Sequence, residues 1–218
     1  VALRTRACGD GRVDGRPGID LAWIPLGAGG SPVVRASGRA YEALLARRDR
    51  RAPCGLVHAA LLVHDGTATT AVEVTPAWGQ PPGDRGVVAE GPVGARWLGR
   101  SRWFRYEVRC WRGGTVPDLA WTVDRRRVAD DAGTAAALLA AAPGVPRHVW
   151  GRDALGARDM WNSNSVVAWL VAAAGLEPGP LAPPAGYRAP GWAAGARAAA
   201  LGATPVAGTR VPRLIPPG

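Results

Sequence analysis

Lysine is missing from this chain: all 27 basic residues are arginine, against 17 acidic ones, for a formal net charge of +10 over 218 residues. Arginine without lysine, beside 30 Gly, 20 Pro and abundant Ala, is the composition of a very GC-rich genome. The charge is therefore assigned to codon usage first and to an acidic partner second. Two runs stand out, Arg47-Arg48-Asp49-Arg50-Arg51 and Arg125-Arg126-Arg127. Each reads as a solvated helix or loop face, with nucleic-acid binding as the lesser alternative. Cysteine is scarce as well: Cys8, Cys54 and Cys110 are odd in number, far apart and form no CxxC pair. That supports neither a disulfide framework nor a zinc site, and no metal or other cofactor is expected. No apolar run approaches the roughly 18 residues of a membrane helix. The stretch Val1–Cys8 lacks the apolar segment of a secretion signal, which predicts a cytoplasmic protein. Gly27-Ala28-Gly29-Gly30 is not followed by Gly-Lys-Ser/Thr and fits no GxGxxG spacing, so it is no phosphate loop.

Apolar residues, at 47 %, are enough for a globular core. The pattern predicts one α+β domain over residues 18–200, a flexible N-terminus over 1–17 and a flexible tail over 201–218. Ile19–Leu26 reads as a strand, Pro32–Arg35 as a short strand, and Arg39–Arg51 as a helix with Tyr41, Leu44 and Leu45 on its apolar side. Gln80–Asp84 is a turn and Gly86–Gly91 a strand. Trp103–Trp111 is a further strand, Asp130–Ala142 and Asn162–Ala174 are helices, and another helix starts at Trp192. The ten tryptophans are read mainly as core and loop anchors rather than a platform for bases.

The clearest local signal is a hairpin. Leu56–His64 and Thr67–Thr75 are β-rich runs flanking Asp65-Gly66, a favoured two-residue turn. That turn places His58 directly opposite Glu73, about 5 Å away between Cβ atoms, on the more polar face. His64 and His148 read as surface residues. His58, His64 and Glu73 would share a face, but His64 lies about 20 Å along the strand, too far for one shared ion.

Met160-Trp161-Asn162-Ser163-Asn164-Ser165-Val166-Val167 is the most distinctive segment. Asn and Ser are preferred helix caps, and capping is the plain reading of this run. Yet one cap is needed and four small polar residues are present. Ser163 shares a helical stripe with Val166, Val167 and Leu170, so it is expected to be buried in the positive end of the helix dipole.

Asn-Ser-Asn-Ser-Val-Val-Ala-Trp, with Trp103-Phe-Arg-Tyr-Glu-Val108 before it, resembles an uncharacterised bacterial family that carries a Pro-Asn-Ser-Asn-Thr-Phe motif at a helix start. That family is similar to circularly permuted papain-like (NlpC-type) proteins. In those, a His on an early strand and a polar residue on the next strand precede a nucleophile at an Asn-Cys-x-x-Phe/Val helix start. The resemblance spans about Leu56 to Leu176. It implies a small, mostly antiparallel sheet with packed helices in the permuted papain-like arrangement. It also implies Ser163 as nucleophile, His58 as base and Glu73 as orienter, with Asn162 and Asn164 supporting an oxyanion or the helix start. Ser163 stands where those proteins have Cys, and a hydroxyl needs a base during attack where a thiol can ionise beforehand. Two functions follow: a hydrolase or acyltransferase on an amide or ester bond of an unidentified substrate, or a binding or structural domain that has lost its nucleophile. An arginine-driven nucleic-acid binder is the third.

Overall fold

The computed structural model describes residues 16–29, 32–78 and 86–203. The turn expected at Gln80–Asp84 lies outside these residues, as do most of the expected N-terminal segment and tail. Seven strands form a sheet: β1 (Gly18–Pro25), β2 (Gly55–His64), β3 (Thr69–Pro76), β4 (Val87–Pro92), β5 (Arg105–Arg112), β6 (Asp124–Ala129) and the two-residue β7 (Tyr187–Arg188). The order is β4-β5-β3-β2-β1-β6, every neighbour antiparallel, with β7 added to β2 in parallel. Among the described residues four α-helices accompany it: α1 (Pro32–Arg48), α2 (Ala132–Ala141), α3 (Ser163–Ala173) and α4 (Trp192–Ala203). This is the expected α+β class.

Strand alternation divides the sheet into two unlike faces. Ile19, Leu21 and Trp23 of β1, Val57, Ala59, Leu61 and Val63 of β2, and Tyr106 and Val108 of β5 build the larger core, against Leu138 of α2, Val166, Val167 and Leu170 of α3, and Trp192 of α4. The opposite face carries a smaller cluster, Ala22, Ile24, Ala60, Leu62 and Ala71, capped by Val116 and Leu119 from the loop after β5.

Three expectations are corrected. Pro32–Arg35 is the first turn of α1 and not a strand, since proline's missing N–H costs nothing where helix donors are unpaired anyway. Over Arg35–Arg48 of α1 the buried positions are Glu42 and Ala46, while Leu44 is 69 % exposed. The hairpin register differs by two: His64 pairs with Thr69 and Leu61 with Val72. The cause is Asp65, whose Oδ1 accepts from the amides of Thr67 and Ala68 at 2.8 and 2.7 Å and widens the loop to Asp65–Ala68. Those amides, the Ala68 one foremost, hold the Asp65 carboxyl well below the usual range. His58 is therefore not opposite Glu73. A two-residue slip preserves side-chain parity, so both still lie on the same face.

Arg125–Arg127 lies on strand β6, not on a solvated helix or loop. Two histidines also differ from expectation. His64 is buried, its ring bonded to Thr69 Oγ1 at 2.9 Å and to Asp20 Oδ2, on the neighbouring strand β1, at 3.2 Å. His148 is half-buried and packs its ring edge-on against Trp161 at 4.8 Å.

Candidate functional site

The Asn162–Ser165 segment docks α3 onto the sheet, and three of its four polar side chains are committed to that task. Asn162 is the N-cap: its Oδ1 accepts from the amides of Asn164 and Ser165, and its Nδ2 donates to Pro190 O at 2.8 Å. Ser165 closes the capping box by accepting from Asn162 N at 3.0 Å, and its hydroxyl donates to Gly191 O at 2.7 Å. Asn164 reaches the sheet. Its Oδ1 accepts from Ala59 N at 2.8 Å and its Nδ2 donates to Val57 O at 3.1 Å and Pro190 O at 2.8 Å.

The location of those bonds explains the residue. One edge of β2 pairs with β3 only from Leu61 onward and with β7 only at Gly55 and Leu56. Between these contacts Val57 and Ala59 have no strand beside them on that edge. A carboxamide carries the same donor and acceptor as a peptide group, so Asn164 completes the ladder where the strands part.

Ser163 is the exception of the four. It opens α3 half-buried, and its hydroxyl makes no hydrogen bond among the described residues. No hydrogen bond joins it to His58. The reason is parity: α3 packs on the face of Val57 and Ala59, while His58 projects from the other face with Ala60 and Leu62.

On that other face His58 meets a residue that sequence reasoning missed. Its Nε2 lies 3.9 Å from Asp118 Oδ2, in the loop that caps the smaller cluster. Burial pushes the His58 imidazole below its ordinary value, and Asp118 offsets part of that shift. Glu73 stands on the same face, 3.7 Å from Arg109 Nη1, and Arg109 also donates to Glu107 Oε2 at 2.7 Å. Burial raises the Glu73 carboxyl; Arg109 pulls it back and the nearby Asp118 pushes it up again. Asp118 thus stands electrostatically between the two residues expected to touch. The alternation Arg105-Tyr106-Glu107-Val108-Arg109 was the available signal for the polar face of β5. Nothing local marked Asp118, whose position depends on a loop.

Beside this group, where α1 approaches the ends of β1 and β2, lies a cleft of about 570 Å³. Leu26, Leu56, Trp121 and the exposed Arg39 are among its lining residues. Gly38 permits the close approach of α1, since a Cβ there would lie 2.8 Å from Leu26 Cδ2. Glu42 is buried at the inner end, bonded by Arg51 and by the Cys54 amide at 3.0 Å. The Arg51 guanidinium above all pulls its carboxyl down to about 2. Asp118 and Trp121 both flank Gly29, so the cleft wall and the His58 group share one loop. Among the described residues no three His, Cys, Asp or Glu side chains are grouped to hold a metal ion, and no helix is long and apolar enough to cross a membrane.

Comparison of the chain with family models, with curated proteins and with solved structures returns no match. The site therefore stands on its own geometry.

Proposed function

We propose that this chain is a non-catalytic ligand-binding domain of the permuted papain-like kind, whose helix start has passed from chemistry to structure. The observation that carries this reading is the separation of Ser163 and His58 onto opposite faces of the sheet. A serine nucleophile needs its base within hydrogen-bond reach, and here the base is turned toward Asp118 instead. The order of strand, paired strand and docking helix supports the papain-like descent.

The binding function belongs to the cleft. Its volume falls within the range of small-molecule sites, roughly 300–1,000 Å³. Leu26, Leu56 and Trp121 suit an apolar or aromatic body, and the exposed Arg39 suits an anionic group. The buried carboxylate of Glu42 is already neutralised by Arg51, with Arg188 at 3.6 Å, and does not repel such a ligand.

Two measurements on the full chain test the reading. A fluorophosphonate probe is expected to leave the wild-type protein unlabelled, like Ser163→Ala. Labelling that disappears in both Ser163→Ala and His58→Ala would establish a hydrolase and overturn the proposal. Anilinonaphthalene sulfonate, an anionic aromatic probe, is expected to bind with enhanced fluorescence and to lose about tenfold in affinity in Arg39→Glu, the loss of one charge-assisted contact. Affinity unchanged in both Arg39→Glu and Trp121→Ala would remove the cleft as the binding place.

A further inference from the structure

Several of the arginines most conspicuous in the sequence are occupied. Arg125 and Arg127 hold Asp20, Arg126 holds Asp124, Arg127 also holds Asp130, and Arg51 holds Glu42. Others, scattered through the sequence, converge. A recess of about 360 Å³ beside the end of β4 is lined by Arg96, Arg100, Arg105 and Arg147, with Glu90 the one carboxylate among the described residues that line it. Glu90 is taken by Arg105 at 2.8 Å. Arg96, Arg100 and Arg147 are exposed and have no carboxylate within salt-bridge distance among the described residues. Three unneutralised guanidiniums around one recess repel one another unless an anion sits between them, and their forked donors match phosphate oxygens.

The same stretch of chain carries exposed aromatic rings. In Arg96-Trp97-Leu98-Gly99-Arg100-Ser101-Arg102-Trp103-Phe104, Trp97 is 71 % and Trp103 68 % exposed. Trp103 stacks with the exposed Trp78, ring centroids 6.2 Å apart and planes 28° from parallel. Rings left this open give up burial that a core anchor would gain. Their expected role as anchors holds for Trp23, Trp161 and Trp192, which are buried, and fails here.

We propose that this surface binds single-stranded nucleic acid, with Arg96, Arg100 and Arg147 on backbone phosphates and Trp97 and Trp103 stacking unpaired bases. Phosphate-binding arginines beside open aromatic faces are the combination a single strand requires, since every base presents a π-face while the duplex hides it. An anionic bilayer is the weaker fit. The large exposed side chains of this stretch are aromatic rather than aliphatic, and open aromatic faces suit base stacking. The surface is separate from the cleft and does not depend on it.

The test is fluorescence anisotropy of a labelled oligothymidylate of about 12 nucleotides, titrated with the full chain. With three phosphate contacts the affinity should fall with a log–log salt slope of about −2, or more than tenfold between roughly 50 and 200 mM salt. Arg96→Glu combined with Arg100→Glu should weaken binding at least about tenfold. The charge-matched control, Arg47→Glu with Arg48→Glu, should change it little. Trp97→Ala with Trp103→Ala should weaken oligothymidylate about fivefold or more while leaving inorganic pyrophosphate binding unchanged. Equal losses in the two arginine pairs would mean that net charge alone acts, and would overturn the site. So would an absence of salt-dependent binding, or binding to phosphatidylglycerol vesicles without binding to the oligonucleotide. All of these variants lie on exposed side chains, and circular dichroism verifies that each is folded.

Discussion

Asn164 and Ser163 are adjacent in one helix turn, yet their removal should have very different consequences. Asn164→Ala strips the partners from Ala59 N and Val57 O inside the protein, and leaving buried backbone groups unpaired costs about 1–3 kcal/mol each. A loss of about 2–4 kcal/mol in urea denaturation is expected. Ser163→Ala removes a hydroxyl without a partner among the described residues and should stay within about 0.5 kcal/mol. A Ser163→Ala loss as large as that of Asn164→Ala would show that the hydroxyl has a structural role the hydrogen bonds do not reveal. His58 offers a second residue-scale prediction. Its imidazole is held below its ordinary value by burial, against the pull of Asp118. In NMR titration His58 should protonate below the usual histidine range, and lower still in Asp118→Asn, because the Asp118 charge that favours the imidazolium is then gone. The sign for stability follows. The unfolded chain takes up this proton first as pH falls, so His58 removes stability from pH about 6.5 downward to its folded-state value. An upward shift in Asp118→Asn would contradict the contact.

At the scale of elements, the meeting of α3 with α4 is set by one small residue. A Cβ at Gly195 would lie 2.1 Å from Ser165 O, a backbone atom that cannot turn aside. Gly195→Ala must push the helices apart, and about 1–3 kcal/mol of destabilisation is expected in thermal denaturation. Gly38→Ala is the contrast, because its Cβ would meet the flexible end of Leu26 at 2.8 Å, and the side chain can rotate away into the cleft. It should melt close to wild type while narrowing the cleft. A Gly195→Ala protein as stable as wild type would show that α4 is not clamped. Strands and helices with strong periodicity were legible from sequence: β1, the two hairpin strands, β5 and α3 lie within a residue or two of their expected limits. The α1 start was not, because Pro-Val-Val is as good a strand signal as a helix entry. Neither was β6, whose arginine run carries no apolar alternation and exists because β1 offers it an edge.

For the molecule as a whole, the net charge of +10 is a property of the composition, but the fold gives different groups of arginines different surroundings. On β6 and around Glu42 they neutralise carboxylates at the sheet edge and behind the cleft. In the recess beside β4, Arg96, Arg100 and Arg147 come together with no carboxylate in salt-bridge distance among the described residues, on the stretch that carries open tryptophans.

The α+β class, the two hairpin strands, the shared face of His58 and Glu73, and the helix start at Asn162 were legible in the order of amino acids alone. Each of these follows from local periodicity or from capping chemistry carried within a few residues. That order left the pairing partners open. Asp65 added two residues to the turn through hydrogen bonds that a preference for Asp-Gly does not encode. Whether His58 could serve Ser163 depended on which face of the sheet α3 covers, and a helix start carries no record of that. Asp118 reached His58, and Arg147 joined Arg96 and Arg100, across spans of chain that only the closed fold brings together. Local interactions are specified by neighbours in sequence; a site is specified by neighbours in space, and those exist only once the sheet and its loops have closed.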